Sequence, residues 1–242
     1  MSISKILVTA ASGVLMASSL TTFAADTVYG NTFTAGSSST TESIAGTTVT
    51  FTAKTGPDLD NLTNGKFSFK PGQDGYQGVG VSPIKGSDAH VGEIDKHEWI
   101  IADFSDARVV SNLTLGLLFD GPEYNDHHET ALITVTFFDD TVSTFSLTAI
   151  GESTATWTAP FGTVTNLSPA SYDMGGVWSL DNPFGDNAVK SFALTSPANV
   201  KQSDFTFYSV TAVPEPSSYA MLALGLGLVG FLSRRKANRL YA

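Results

Sequence analysis

The sequence Ala131-Leu-Ile-Thr-Val-Thr-Phe-Phe138, then Asp139-Asp140, then Thr141-Val-Ser-Thr-Phe-Ser-Leu147, decides the fold class of this chain. Apolar and hydroxyl side chains alternate along both runs, which is the period of a β-strand with one buried face. Asp139-Asp140 supplies a turn between the runs, so the segment predicts a β-hairpin. Because Asp-Asp suits such a turn less well than Asp-Gly, the register is defined only to within about one or two residues. The face expected to be buried carries Ile133, Val135 and Phe137 on the first run and Phe145, Leu147 and Ala149 on the second.

The remainder of the chain before residue 213 has the same character. Short runs rich in Thr, Val and Phe are separated by Gly, Pro and Asn turn signals, and none has a helical period. We therefore predict an all-β fold, a single β-sandwich or jelly-roll-like domain. We expect residues 26–43 to be loosely structured, with residues 37–41 as a flexible loop. The predicted strands are residues 27–34, 47–53, 66–69, 98–103, 108–119, 131–138, 141–150, 155–160, 189–195 and 203–211.

Both ends of the chain differ from this domain. Residues 1–25 begin with a positive Lys5, continue with an apolar run and end in small residues, which is typical of a cleaved secretory signal peptide. At the other end, Val213-Pro214-Glu215-Pro216 stops any regular element, because proline fixes φ and lacks an N–H. Residues 219–232 are apolar on every side, and Arg234-Arg235-Lys236 follows them, as expected of a short membrane helix with a cytoplasmic basic end. We therefore expect a signal helix in 1–25, a β domain in 26–212 and an apolar C-terminal helix within 213–242.

The C-terminal segment resembles the PEP-CTERM sorting signal of Gram-negative bacteria, in which Pro-Glu-Pro, an apolar helix and a basic cluster follow in this order. The resemblance implies recognition by exosortase, a membrane protease-transpeptidase that is expected to cut near Pro-Glu-Pro. It also implies transient anchoring in the inner membrane, then delivery to the cell surface or extracellular matrix, often alongside exopolysaccharide production. Such signals occur on unrelated domains, so the activity of residues 26–212 stays open. The matching positions are Val213, Pro214, Glu215, Pro216, Arg234, Arg235 and Lys236.

The charge of the chain is concentrated in the predicted β domain. The whole chain carries a net charge of −10, whereas residues 26–213 contain 22 acidic and 8 basic residues, a net charge of −14. A domain of this charge should repel nucleic acid and anionic lipid, because binding to either depends on neutralising phosphates. The chain has no cysteine, which excludes disulfides and thiol chemistry.

Two acidic stretches are candidate cation sites. Glu93 and Asp95 are two positions apart, so their side chains would point the same way on an extended backbone. The second stretch is a turn-rich loop that contains Asp120, Glu123, Asp126 and Glu129. Since Ca²⁺ takes oxygen ligands from such loops, these six residues are candidate Ca²⁺ ligands, and solvated polar loops are the alternative. His127-His128 favours zinc less, because adjacent residues on a strand point to opposite faces.

Aromatic residues suggest a second kind of site. Tyr124, Trp157 and Trp178 lie near turn signals and are candidates for stacking on sugar rings, with core packing as the alternative. Trp99 lies in an apolar run and is expected in the core. Nothing resembles a nucleophile elbow, and an acidic domain always offers carboxylate pairs. We therefore expect a non-enzymatic exported protein that binds polysaccharide or acts structurally, with Ca²⁺ as a candidate cofactor. The alternative is a secreted carbohydrate-active hydrolase on the same scaffold.

Overall fold

The computed structural model describes residues 25–70, 78–83, 90–120, 128–168, 175–200 and 202–214, together with residues 225–227 and 229. Up to residue 214, the described residues form antiparallel strands and one short 3₁₀ turn, Gly30–Thr32. The strands are β1 (Asp26–Tyr29), β2 (Ser39–Ile44), β3 (Thr47–Thr55), β4 (Thr63–Asn64), β5 (Phe67–Ser68), β6 (Gly80–Val81), β7 (Glu98–Phe119), β8 (Thr130–Phe137), β9 (Val142–Gly151), β10 (Thr154–Trp157), β11 (Thr163–Asn166), β12 (Gly175–Asp181), β13 (Ala188–Thr195) and β14 (Thr206–Val213).

β7 is the longest strand, with 22 residues, and it belongs to both halves of one curled sheet. Its first half pairs with β3 and β13, and its second half pairs with β14 and β12. Val189 of β13 pairs with Arg108 of β7, whereas Ser191 pairs with Asp103, so residues 104–107 bulge out of the ladder with β13. A bulge bends the strand that carries it, which allows β7 to pass from one layer to the other. The two predicted strands 98–103 and 108–119 are therefore one strand, interrupted by this bulge.

The two layers face each other across an aromatic core. The ring centroids of Phe51 on β3 and Phe207 on β14 are 5.2 Å apart, and Phe33 packs against both rings at 4.9 and 5.9 Å. All three side chains are buried. Burial of one such ring contributes about 1.5–3 kcal/mol, so this group is a substantial part of the core. Because β3 and β14 flank different halves of β7, their contact shows that these two halves pack face to face. The strands themselves confirm the predicted all-β fold.

The predicted hairpin is confirmed as β8–β9. Ile133 pairs with Phe145, and the side chains expected on the inner face are buried or pack against the core. The turn is one residue longer than predicted, because the Phe137 N–H donates to the Thr141 carbonyl at 2.9 Å and closes the turn there. Asp140 occupies the left-handed position of the turn at φ 66°. Aspartate tolerates that conformation, which explains how the turn forms without glycine.

The prediction of a loose amino-terminal region was wrong. β2 covers most of the predicted flexible loop and pairs along its length with β3. Its exposed face is a row of hydroxyl side chains, in which the Thr41 and Thr50 hydroxyls lie 2.9 Å apart. Threonine fits a pleated edge strand without burial, so β2 lacks the apolar alternation that predicts a strand. The short strands β4, β6 and β11 and the buried strand β12 were not predicted either.

The two predicted terminal helices stay predictions. Residues 1–24 lie outside the described residues, and so does most of the apolar tail. Residues 225–227 and 229 are helical and exposed. Within the described part of the chain, no helix combines the length and the apolar character that crossing a membrane requires.

Candidate functional site

An acidic cluster forms where the loop before β7 meets the segment before β14. Two backbone hydrogen bonds join these segments to their neighbours: Ile94 N–H donates to Phe205 C=O at 2.6 Å, and Val81 N–H donates to Glu93 C=O at 2.8 Å. Ile94 points into the core and is fully buried, so its neighbours turn the other way. This pairing brings together Glu93, Asp95, Glu98 and Asp204, which are all buried, with Lys70 and the half-exposed His90.

Glu93 is the most constrained member of the cluster. Its side chain is 1% exposed. One carboxylate oxygen, Oε1, accepts a hydrogen bond from Lys70 Nζ, and the other, Oε2, lies 3.8 Å from His90 Nδ1. Burial by itself would lower the pKa of Lys70, but the hydrogen bond and the charge of Glu93 outweigh it and raise that pKa. Oε2 has no hydrogen-bond partner among the described residues.

A tight turn fixes Asp95. Its N–H donates to Glu98 Oε2 at 3.1 Å, and the Glu98 N–H donates to Asp95 C=O at 3.1 Å. His97 closes the turn in the left-handed region at φ 68°. Burial raises the pKa of the Glu98 carboxyl to about 8, against the lowering effect of the Asp95 N–H bond. Glu98 Oε1 has no hydrogen-bond partner in the described part of the chain.

Asp204 completes the cluster from the other side. Its Oδ2 lies 3.1 Å from His90 Nδ1. Burial and then the negative charge of Glu93 raise the pKa of Asp204 to about 7, while His90 acts in the opposite direction. Ligand atoms of His90, Asp95 and Asp204 all lie within 4.8 Å of one another. Chemically, such a group either shares protons or binds a cation.

The second acidic stretch contributes only in part to this cluster. Glu129 is buried, its carboxylate accepts a hydrogen bond from the Phe119 N–H, and its charge helps to raise the pKa of Lys70. It therefore lies on the Lys70 side of the cluster. Asp120 pairs instead with His128, with Oδ1 and Nδ1 2.6 Å apart. The structure thus brings Glu93 and Asp95 of the first acidic stretch into one region with Glu129 of the second. The predicted site residues Glu123, Tyr124 and Asp126 lie outside the described residues.

The predicted surface role of Trp178 was wrong. Its side chain is 1% exposed, and its indole Nε1–H donates to the Leu118 carbonyl at 2.8 Å. It lies on β12, which pairs with β7 and β11 and has a buried face that turn signals in the sequence did not reveal. Trp157 is partly buried against Phe145, with ring centroids 5.5 Å apart. Trp99 lies in the core, as predicted.

A groove of about 710 Å³ opens at the turn of the β8–β9 hairpin. Phe138 and Phe161 are the exposed aromatic residues of its lining, at 64% and 36%. The Phe161 ring lies close to the backbone of Gly185, where an added Cβ would meet ring carbons at 3.3 Å. The polar lining comprises Asp139, Thr141, Ser143, Asp186 and Asn187.

Sequence reasoning missed several of these residues. Asp204 is a single acid ahead of a strand, with no local pattern that marks it as a site residue. Phe138 did carry a usable signal: it follows Phe137 directly, and adjacent strand residues face opposite sides, so one of the two had to be exposed.

The C-terminal segment begins where the fold ends, since β14 stops at Val213, directly before Pro214. Residues 212–236 match the family model described as a PEP-CTERM protein-sorting motif. The chain carries a PEP-CTERM sorting motif. The predicted resemblance is thereby confirmed, and the motif implies export, transient membrane sorting and processing by exosortase. The PEP-CTERM motif covers only the end of the chain, so it does not define the β domain.

No curated protein and no solved structure matches the chain significantly. The function of the β domain therefore has to be argued from its own residues.

Proposed function

We propose that this exported PEP-CTERM protein acts at the cell surface or in the extracellular matrix, where its β domain binds a polysaccharide in the groove beside the β8–β9 turn. The single observation that carries this proposal is the lining of the groove. Exposed phenylalanine rings alternate there with carboxylate, amide and hydroxyl groups. A sugar ring presents an apolar face, which the phenylalanine rings can contact, and a rim of hydroxyls, which the polar groups of the groove can hydrogen-bond.

The aromatic residues of the groove are held in place before any ligand arrives. Phe161 rests on Gly185, and Lys190 Nζ lies over the Phe138 ring, 5.6 Å from its centroid. Phe145 in the groove wall packs against Trp157 and Phe184. Rigid side chains lose little conformational entropy on binding, which favours affinity for a weakly binding ligand such as a sugar polymer.

The charge of the groove selects among polysaccharides. Asp139 accepts hydrogen bonds from the hydroxyl and the N–H of Thr141, and these bonds lower the pKa of its carboxyl. Asp186 adds a second acidic side chain to the lining. Lys190, the cation near the groove among the described residues, pairs with Asp140. A negatively charged groove in an acidic domain favours neutral or basic polymers over uronic-acid polymers.

Binding is better supported than hydrolysis. A glycosidase needs one carboxyl group whose raised pKa keeps it protonated as an acid. In Asp139 the hydrogen bonds from Thr141 move the pKa the other way. Among the described residues, the carboxyl groups whose pKa values are raised to near neutrality are Glu98 and Asp204, and both lie in the acidic cluster instead of the groove.

The test compares oligosaccharides of different charge. The full-length chain, purified in a mild detergent, is titrated calorimetrically with cellohexaose, chitosan hexamer and hexaguluronate. We expect binding of the neutral or basic oligomer and none of the anionic one. Phe138→Ala should weaken binding about fivefold to tenfold, because a lost aromatic contact costs roughly 1–1.4 kcal/mol.

Tyr29→Ala is the matched control, since Tyr29 is an exposed aromatic residue at 44% that lies on β1, away from the groove lining. Binding should be unchanged in this variant. Equal losses in the two variants, or preferred binding of hexaguluronate, would overturn the proposal.

A further inference from the structure

The acidic cluster contains buried oxygen atoms whose lack of partners needs a physical explanation. Glu93 Oε2 and Glu98 Oε1 are inaccessible to solvent and have no hydrogen-bond partner among the described residues. A buried carboxylate oxygen that makes no hydrogen bond is destabilising. A water or an ion is one physical explanation for such an atom, and Glu93 Oε2 faces the imidazole of His90 at 3.8 Å.

The spacing of the donor atoms suits a small divalent cation. Ligand atoms at the corners of a tetrahedron around zinc, with bonds of about 2.0–2.2 Å, lie roughly 3.3–3.6 Å apart. His90 Nδ1 lies 3.1 Å from Asp204 Oδ2 and 3.8 Å from Glu93 Oε2. Those two separations bracket the tetrahedral value, and the Asp95 carboxylate is within 4.8 Å of both His90 and Asp204.

We propose that His90, Asp95 and Asp204 form a binding site for a divalent cation of the zinc class, beside the unpartnered Oε2 of Glu93. The imidazole nitrogen favours zinc over Ca²⁺, because Ca²⁺ takes oxygen ligands almost exclusively. Glu98 positions Asp95 by accepting its N–H at 3.1 Å. This assigns the predicted ligand Asp95 to a different metal and adds His90 and Asp204 from outside the predicted set.

The charge balance of the cluster supports a bound cation. Glu93, Asp95 and Asp204 are buried, and Lys70 pairs with Glu93. Because Lys70 compensates Glu93, a dication would offset the charges of Asp95 and Asp204. The side chain of His90 is 53% exposed, which gives the ion a route from solvent.

The site is separate from the proposed polysaccharide groove. Glu129, whose charge acts on Lys70, directly precedes β8, whereas Phe137 at the other end of β8 lines the groove. A strand of this length spans roughly 25 Å. A failure of either proposal therefore leaves the other standing.

The experiment uses the full-length chain in mild detergent, stripped with chelator and dialysed. Calorimetric titration with ZnCl₂ should show one zinc ion per chain. A zinc concentration about 100-fold above Kd should raise the melting temperature by about 5–10 °C, the shift expected for a domain of this size. His90→Ala and Asp204→Asn should each abolish that shift.

His128→Ala is the matched control, because His128 is equally exposed, at 54%, and also pairs with an aspartate, Asp120. The zinc shift should persist in this variant. Three results would overturn the proposal: no shift in the wild-type protein, an undiminished shift in His90→Ala, or a loss of the shift in His128→Ala alone. A shift with CaCl₂ that is the same in wild type and His90→Ala would exclude the zinc class.

Discussion

Substitution of Gly80 should destabilise the protein through the backbone of the acidic cluster. Gly80 lies on β6, where its neighbour Val81 donates its N–H to the Glu93 carbonyl. An added Cβ at position 80 would lie 2.3 Å from both the nitrogen and the oxygen of Glu93. These are backbone atoms, so no rotation of a side chain can relieve the contact.

The cost of Gly80→Ala follows from that distance. Non-bonded carbon contacts are favourable at about 3.5–4.0 Å, so the Glu93 backbone would have to move by roughly 1 Å. Overpacking of this kind costs about 1–3 kcal/mol, and loss of the Val81–Glu93 hydrogen bond adds about 1 kcal/mol. We therefore expect the free energy of unfolding to fall by about 3 kcal/mol.

Gly36→Ala is the comparison variant for this prediction. Gly36 has φ 81°, and nothing lies within 4 Å of a Cβ added there. Its substitution should cost only the left-handed backbone penalty of about 1–2 kcal/mol. Urea unfolding followed by tryptophan fluorescence, in the presence of EDTA, measures both variants under the same conditions. If Gly80→Ala loses no more stability than Gly36→Ala, the close approach of β6 to Glu93 does not exist in solution.

Three further substitutions test the core and the acidic cluster. Trp178→Phe should lower the free energy of unfolding by about 2–3 kcal/mol, because it opens a cavity and removes the donor to the buried Leu118 carbonyl. Trp157→Phe should cost less than about 1 kcal/mol, since the buried indole N–H has no hydrogen-bond partner among the described residues. Urea unfolding measures the stability of both tryptophan variants. A larger loss for Trp157→Phe than for Trp178→Phe would contradict the hydrogen bonding described for the two indoles. In metal-free protein, Glu98 has a pKa of about 8 when folded against 4.5 as its ordinary value, so the folded state binds the extra proton between those values. Stability should therefore fall as pH rises from 4.5 to 8, and Glu98→Gln should flatten this dependence; an unchanged pH profile would show that Glu98 is solvated.

Several features of this protein follow from the sequence alone, because each depends on neighbouring residues. Alternation over 131–147 predicts the β8–β9 hairpin and its inner face. The apolar run around Trp99 places that residue in the core. The PEP-CTERM motif depends on the order of three adjacent segments, so residues 212–236 are sufficient to identify it.

The length of the hairpin turn and the strand β2 were predicted wrongly from the sequence. The turn of the hairpin is longer by one residue, because Asp140 adopts a left-handed conformation that composition does not specify. β2 was not predicted because it lacks the alternation of apolar residues that marks other strands. It is stabilised by pairing with β3 and by contacts between hydroxyl groups.

Only the tertiary structure decided which acidic residues meet. Asp204 joins Glu93 and Asp95 because Ile94 pairs with Phe205, two residues that are far apart in the chain. The same holds for Trp178, whose burial depends on how β12 lies against β7, and for Phe138 and Phe161, which reach one groove from separate loops. The period of a strand shows which side chains share a face. It carries no information about which distant strand lies beside it, because the packing of the two layers selects that partner.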